Sequence, residues 1–140
     1  MVKRKIIIAA NSDLCFDQRL HRIASSLSDA QYSVFLLGRS FLHSPNLTSE
    51  KFEQKRVNLW FQKGKLAYLE LNIRLFINLL RVDMDALCSV DLDTLPACWL
   101  IKKLRGVKLV YDAHEYMEEV PEVFERPLTR WIWRQVALNF

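Results

Sequence analysis

The sequence DALCSVDLDTLPACWLIKKLRGVKLVYDAHEYMEEVP, residues 85–121, decides the fold. It begins with Ala86–Val90, an apolar run of strand length, and residues 107–111 form a second such run. Between them, apolar residues recur at helical spacing over residues 95–105, cations occupy the last turn and Gly106 follows, as at a helix end. Residues 91–94 supply capping side chains. The stretch therefore predicts two parallel strands joined by a helix, with a right-handed crossover.

Pro96 belongs in the first turn of this predicted helix, where a missing N–H is tolerated. A similar unit precedes it in the chain, with a buried apolar first strand and a helix that Asp17 would cap. The earlier predicted elements are strands at 4–10, 33–37 and 56–61, a helix at 17–29 and a loop at 41–54. This alternation predicts one α/β domain, a Rossmann-like doubly wound parallel sheet with helices on both faces.

The longest predicted helix, residues 65–81, is apolar over more than one face. Its polar side chains form a single stripe, and the other faces can pack against the sheet and against a further helix, another domain or lipid. A neighbouring helix is favoured over lipid. The residues predicted to face the sheet are Tyr68, Leu69, Ile73, Phe76, Ile77 and Leu80. A last helix is predicted at 127–138, after an acidic connector at 116–126.

Composition excludes several function classes. Only three glycines occur in 140 residues, so neither a Walker A loop nor a Gly-x-Gly-x-x-Gly dinucleotide fingerprint is present. The three cysteines are scattered, which suits a reducing compartment, and no Cys/His cluster has metal-ligand spacing, so no metal is expected. The net charge of +4 suits phosphate-bearing ligands, an anionic membrane surface or nucleic acid equally well.

Candidate site residues lie where the predicted strands end, because open α/β sheets bind ligands outside the carboxyl ends of their strands. His114 follows a strand directly and has nearby carboxylates, so it can exchange protons or donate a hydrogen bond near neutral pH. Polar residues in such loops also cap the next helix, which is the competing explanation for each of them. Arg19 is most simply an exposed first-turn residue of the predicted helix, but it can reach an anionic ligand at the helix N-terminus. The strand-end candidates are Asn11, Ser12, Asp13, Gly38, Arg39, Asp91, Asp93, Asp112, His114 and Glu115.

Three segments resemble the N-terminal domain of family 4 glycosyltransferases: residues 13–38, residues 91–97 (DLDTLPA) and residues 108–115 (KLVYDAHE). The resemblance implies the two-domain GT-B fold and retaining transfer of a sugar from a nucleotide-sugar to an acceptor, without a metal or other cofactor. It implies that this chain is the acceptor-side domain. His114 and Asp91 are the predicted catalytic residues, and the predicted substrate-binding residues are Asn11, Asp13, Arg19, Asp112 and Glu115.

Two positions depart from the family pattern. Many relatives have a glycine-rich loop after the first strand, where this chain has Asn-Ser-Asp-Leu at 11–14, and many have His or Asn where this chain has Val90. The chain is expected to be truncated before the donor-binding domain and inactive alone. Its expected partners are that missing domain, a nucleotide-sugar donor and a glycan, small-molecule or lipid-linked acceptor, with a second copy of the chain as a further candidate and no nucleic acid.

The expected location is the cytoplasm, with the inner face of the membrane as an alternative. Two other functions remain open at this point. The first is a non-catalytic α/β binding or partner module that has kept the fold and lost the chemistry, as Val90 would permit. The second is a peripheral membrane protein that uses the wide apolar surface of residues 65–81 and the basic residues.

Overall fold

The computed structural model describes residues 3–113. His114, Glu115 and the predicted helix at 127–138 lie outside this range. Its elements are β1 (Lys5–Ala9), α1 (Gln18–Asp29), β2 (Ser33–Ser40), β3 (Glu53–Asn58), α2 (Gly64–Leu80), β4 (Ala86–Val90), α3 (Asp91–Arg105) and β5 (Lys108–Asp112). The five strands form one parallel sheet in the order β3-β2-β1-β4-β5. The predicted Rossmann-like α/β fold is confirmed.

Helices cover both faces of the sheet. Leu20 and Ala24 of α1 pack in a cluster with Ile8 and Leu36 on one face. On the other face, Ile7 and Leu37 belong to a cluster that contains the buried side of α2 and the middle of α3. Alternate residues of β1 and β2 thus point into separate cores, which explains why their sequences are apolar without alternation.

The order of strands reverses between β1 and β4, since the chain first builds outward through β2 and β3 and then returns to the other side of β1. A crevice at such a switch point is where open parallel sheets bind their ligands. Thr94 joins the two strands there. Its Oγ1 donates to the carbonyl oxygen of Ala9 (3.3 Å) or Val90 (3.0 Å) and lies 2.9 Å from Ser89 Oγ. The first turn of α3 is therefore fixed at the carboxyl edge of the sheet.

The predicted bounds of β2 and β3 were wrong. β2 continues to Ser40 because residues 38–40 pair with Arg56–Asn58 of β3, and β3 begins at Glu53 within the predicted loop. Of the α2 residues predicted to face the sheet, only Phe76 packs against the cluster on that face, and the prediction was wrong for the other five. The buried stripe is Ala67, Leu71, Leu75 and Leu79, while Tyr68, Leu69, Ile73, Ile77 and Leu80 are each 42% or more exposed.

Helix α3 begins at Asp91, four residues before its predicted start, so Pro96 lies inside the helix and not in its first turn. The side-chain amide of Asn72, on α2, hydrogen-bonds to the α3 backbone on both sides of Pro96. Its Nδ2 donates to the carbonyl oxygen of Asp93 (2.8 Å) and its Oδ1 accepts from the Ala97 N–H (3.0 Å). The side chain thus stands between two backbone groups that would pair with each other in an uninterrupted helix.

Candidate functional site

The carboxyl edge of the sheet at the switch point is the expected ligand site, which we call the crevice, and the loop after β1 lies on one side of it. Asn11 Nδ2 donates to Asp93 Oδ2 across the gap between β1 and α3 (2.9 Å). The loop lies against β2, where the Arg39 N–H donates to the carbonyl oxygen of Ser12 (3.0 Å). Gly38 permits this approach, because a Cβ there would come within 2.6 Å of Leu14 side-chain atoms and 2.9 Å of the Ser12 oxygen.

Arg19 and Asp112 form the opposite wall. Arg19 extends from the first turn of α1 and its Nη1 donates to Asp112 Oδ2 at the end of β5 (3.0 Å). Both side chains keep 32% of their surface exposed, so the pair borders the crevice and is not sealed in the core. Arg19 Nη2 is inaccessible and has no hydrogen-bond partner among the described residues. Arg19 was expected to be an exposed first-turn residue, but it spans from α1 to the far edge strand.

Tyr111, near the end of β5, interacts electrostatically with three carboxylates at this edge of the sheet. Burial raises the pKa of Tyr111, and the negative charges of Asp91, Asp93 and Asp112 raise it further. Asp112 pairs in register with Val90, which places it beside the residue that precedes Asp91. Asp91 itself has a positive φ of 59°, a conformation that Asp adopts more readily than most residues. Carboxylates in such a group accept hydrogen bonds from ligand hydroxyls.

Asp13 belongs to a different network. Burial alone would raise the pKa of Asp13, but hydrogen bonds from Ser44, from the Cys15 N–H and from Arg56 outweigh it and hold the pKa below its usual value. Its side chain is 10% exposed and that of Arg56 is 14% exposed. The geometry of Asp13 is that of a carboxylate that fastens the β1–α1 loop to β3 and to the loop after β2.

The structure thus divides the predicted site residues. Asn11, Arg19, Asp91 and Asp112 lie along one crevice, Asp13 points into a neighbouring network, and His114 and Glu115 lie outside the described residues. Asp17 caps α1 as predicted, with Oδ1 accepting from the Leu20 N–H (3.1 Å). Sequence reasoning named Asp93 among the strand-end residues without selecting it as a site residue, and it missed Tyr111. The Asp-x-Asp spacing at 91–93 carried the signal for the first, and nothing in the sequence distinguished the second.

Val90 does not reach the crevice. Its side chain is 4% exposed and packs in the cluster on the α1 face of the sheet. The position where relatives in the resembled family often carry His or Asn is therefore an apolar core residue in this protein.

The thiols lie away from any cluster of metal ligands. Burial raises the pKa of Cys98 to about 12 and that of Cys88 to about 11, with Asp112 adding to the second shift and Arg19 opposing it. Among residues 3–113, no three His, Cys, Asp or Glu side chains are grouped so that they could hold a metal ion.

Within the same range, none of the helices has the length and hydropathy needed to cross a bilayer.

No protein-family model matches the sequence, and no curated protein sequence is similar enough to match. Solved structures of the C-terminal domain of a protein named as a hydrogenase from Pyrococcus furiosus are similar in fold. Its residues 78–226 superpose with a TM-score of 0.58 and 20% identity, over 80% of this chain and 93% of that one. Its residues 83–215 give a TM-score of 0.59 and 16% identity, over 78% and 90%. At this identity the likeness shows the α/β fold alone.

Proposed function

We propose that this chain, residues 1–140, is the acceptor-side domain of a nucleotide-sugar-dependent glycosyltransferase, and that the acceptor binds in the crevice at the carboxyl edge of the sheet. The observation that supports this is that Asp91, Asp93, Tyr111 and Asp112 lie at the carboxyl edge of the sheet, near the point where the strand order reverses, and that Arg19 pairs with Asp112 there. The resemblance of residues 91–97 and 108–115 to family 4 glycosyltransferases supports the same assignment.

The proposed division of labour follows from hydrogen-bonding capacity. Ionised carboxylates only accept hydrogen bonds, so Asp91 and Asp112 would bind hydroxyls of a sugar or polyol, while Arg19 orients Asp112 and offers a donor to an anionic group. Tyr111 would supply an apolar ring face against which a sugar can lie. Base catalysis would need a group such as His114, which follows β5 in the sequence. The donor would be held by a second domain.

The test is ligand binding, because the acceptor-side domain alone is expected not to turn over. Amide chemical shifts of the purified chain would be followed while monosaccharides, disaccharides and nucleotide-sugars are added. Binding should shift the signals of Asn11, Asp91 and Asp112, and Arg19→Ala should weaken it by about tenfold, the loss of roughly one charge-assisted hydrogen bond. Lys51→Ala removes the exposed pair with Asp29 and is the matched control.

The acceptor proposal fails if no sugar shifts these signals at millimolar concentration, or if Lys51→Ala weakens binding as much as Arg19→Ala does. Transfer of sugar from a nucleotide-sugar by the purified chain alone would contradict the separate proposal that a donor domain is needed.

A second candidate is a non-catalytic module with the same fold. The burial of Val90 favours it, since a core valine cannot replace the polar side chain that relatives often carry at that position. Fusion or coexpression with a donor-binding domain of the resembled family separates the two. Sugar transfer by the completed protein supports the enzyme, and binding without transfer supports the module. The likeness to the Pyrococcus furiosus domain supports the fold of either and carries no hydrogenase chemistry to this chain.

A further inference from the structure

Helix α2 presents a continuous apolar surface on the side that faces away from the sheet. We call it the outer face of α2. The spacing of its members by three or four residues places them along one side of the helix, next to the stripe that packs on the sheet. The outer face consists of Leu66, Leu69, Ile73, Ile77 and Leu80, which are 55%, 59%, 50%, 42% and 45% exposed.

Two aromatic residues extend this surface at the N-terminal end of α2. Trp60 is 85% exposed and Phe61 is 47% exposed. With Leu66, Leu69, Ile73 and Ile77 of the outer face they line an open groove of about 380 Å³. Contiguous apolar surface of this kind marks an interaction site more often than isolated exposed residues do.

The aromatic residues are held in place and do not simply project from a loose loop. The Glu70 carboxylate accepts hydrogen bonds from the backbone N–H groups of Trp60 (2.9 Å) and Phe61 (3.0 Å). Arg74 Nε donates to the same carboxylate (2.7 Å), and its guanidinium carbon lies 5.0 Å from the centroid of the Trp60 ring. The backbone that presents both rings is therefore anchored to α2 before any partner binds, which lowers the entropy cost of binding.

The charges around this surface identify its occupant. Lys63, Lys65 and Arg81 are exposed at the two ends of α2. Glu70 is the single acidic residue between Trp60 and Val82 in the sequence, and its carboxylate already pairs with Arg74. Two copies that brought their outer faces together would also bring cations of the same sign together, whereas an anionic surface complements them.

We propose that the outer face of α2, with Trp60 and Phe61, binds the surface of a bilayer that contains anionic phospholipids. With 17 residues, α2 is about 25 Å long, and it lies on the bilayer instead of crossing it. Apolar side chains enter the acyl boundary, the Trp60 ring occupies the headgroup level and the flanking cations contact lipid phosphates. This proposal does not rest on the glycosyltransferase assignment.

Vesicle co-sedimentation of the full chain tests the proposal, with phosphatidylcholine vesicles compared with vesicles of phosphatidylcholine and phosphatidylglycerol. We expect binding to the anionic vesicles that weakens with added salt. The double variant Leu69→Gln/Ile73→Gln should reduce the partition coefficient at least about tenfold, because two apolar side chains no longer favour the acyl boundary. The double variant Lys63→Glu/Lys65→Glu should remove the preference for anionic vesicles.

Ile23→Gln is the matched control, since Ile23 is 37% exposed on α1, at the opposite face of the sheet. It should bind vesicles like the unmodified chain. Circular dichroism confirms that each variant is folded. The proposal is overturned if the folded chain binds neither vesicle, if Ile23→Gln weakens binding as much as Leu69→Gln/Ile73→Gln, or if binding is equal with and without phosphatidylglycerol. It is also overturned if light scattering shows a dimer that Leu69→Gln/Ile73→Gln dissociates, because a second copy would then cover the surface.

Discussion

Replacing Asn72 by alanine should destabilise the protein far more than the loss of a surface amide would suggest. The change removes the donor to the Asp93 carbonyl oxygen and the acceptor for the Ala97 N–H. Each buried backbone group left without a partner costs about 1–3 kcal/mol, and water entering the vacated space restores part of that, so we expect a loss of about 2–3 kcal/mol. For a chain of 140 residues this lowers Tm by roughly 7–10 °C.

Urea denaturation and thermal melts measure this loss, and Asn78→Ala is the control on the same helix. Asn78 Nδ2 donates only to the Arg74 carbonyl oxygen of its own helix (2.8 Å), so its removal should change stability by less than about 0.5 kcal/mol. Asn72→Asp keeps an acceptor for Ala97 and loses the donor to Asp93, so its stability should lie in between. The reasoning is refuted if Asn72→Ala is as stable as the unmodified chain, or if Asn78→Ala loses as much.

Three further outcomes follow from the structure. Gly38→Ala should lower stability by about 1–3 kcal/mol in denaturant titrations, because its Cβ would overlap Leu14, and a variant of unchanged stability would contradict the close approach. Folding depresses the pKa of Asp13, so its contribution to the free energy of unfolding is present above the unfolded pKa, near 4, and is lost as the pH falls through the folded pKa. Asp13→Asn should therefore be less stable than the unmodified chain at pH 7, and its free energy of unfolding should fall less as the pH is lowered. At pH 8 the buried Cys98 thiol should react with a thiol reagent only as fast as the protein unfolds. Reaction in the native state at the rate of a free thiol would contradict this, because it would show that Cys98 is accessible.

The sequence predicted the fold well because local patterns and global topology agree over most of the chain. Ala86–Val90 is a strand in the sequence prediction and in the structure, and Asp17 caps α1 in each. The errors occur where a tertiary contact overrides the local pattern. Pro96 indicated a helix that starts near residue 95, but the helix begins at Asp91, and the Asn72 amide satisfies the Asp93 carbonyl oxygen and the Ala97 N–H on either side of Pro96. No local rule could place a residue of α2 there.

The candidate site was predictable only in part, for a related reason. Strand-end position identified Asn11 and Asp112, and the parallel topology brings them to one edge. It could not distinguish a carboxylate that lines the crevice from Asp13, whose oxygens are engaged by partners distant in sequence. The outer face of α2 was misassigned because that helix is apolar on two sides, and periodicity alone does not say which side meets the sheet.

The two proposals together predict how the crevice is oriented. Parallel strands and their crossover helices run in opposite directions, so α2 begins at the carboxyl edge of the sheet, where the crevice opens. Trp60, Phe61, Lys63 and Lys65 are exposed at that end of α2, so binding should bring the crevice closer to the headgroups than the opposite edge of the sheet, as a lipid-linked acceptor requires. In bicelles doped with a lipid that carries a nitroxide headgroup, amide signals of Asn11 and Ser12 should broaden more than that of Gln31, at the opposite edge. Equal broadening would contradict this orientation even if both proposals hold separately.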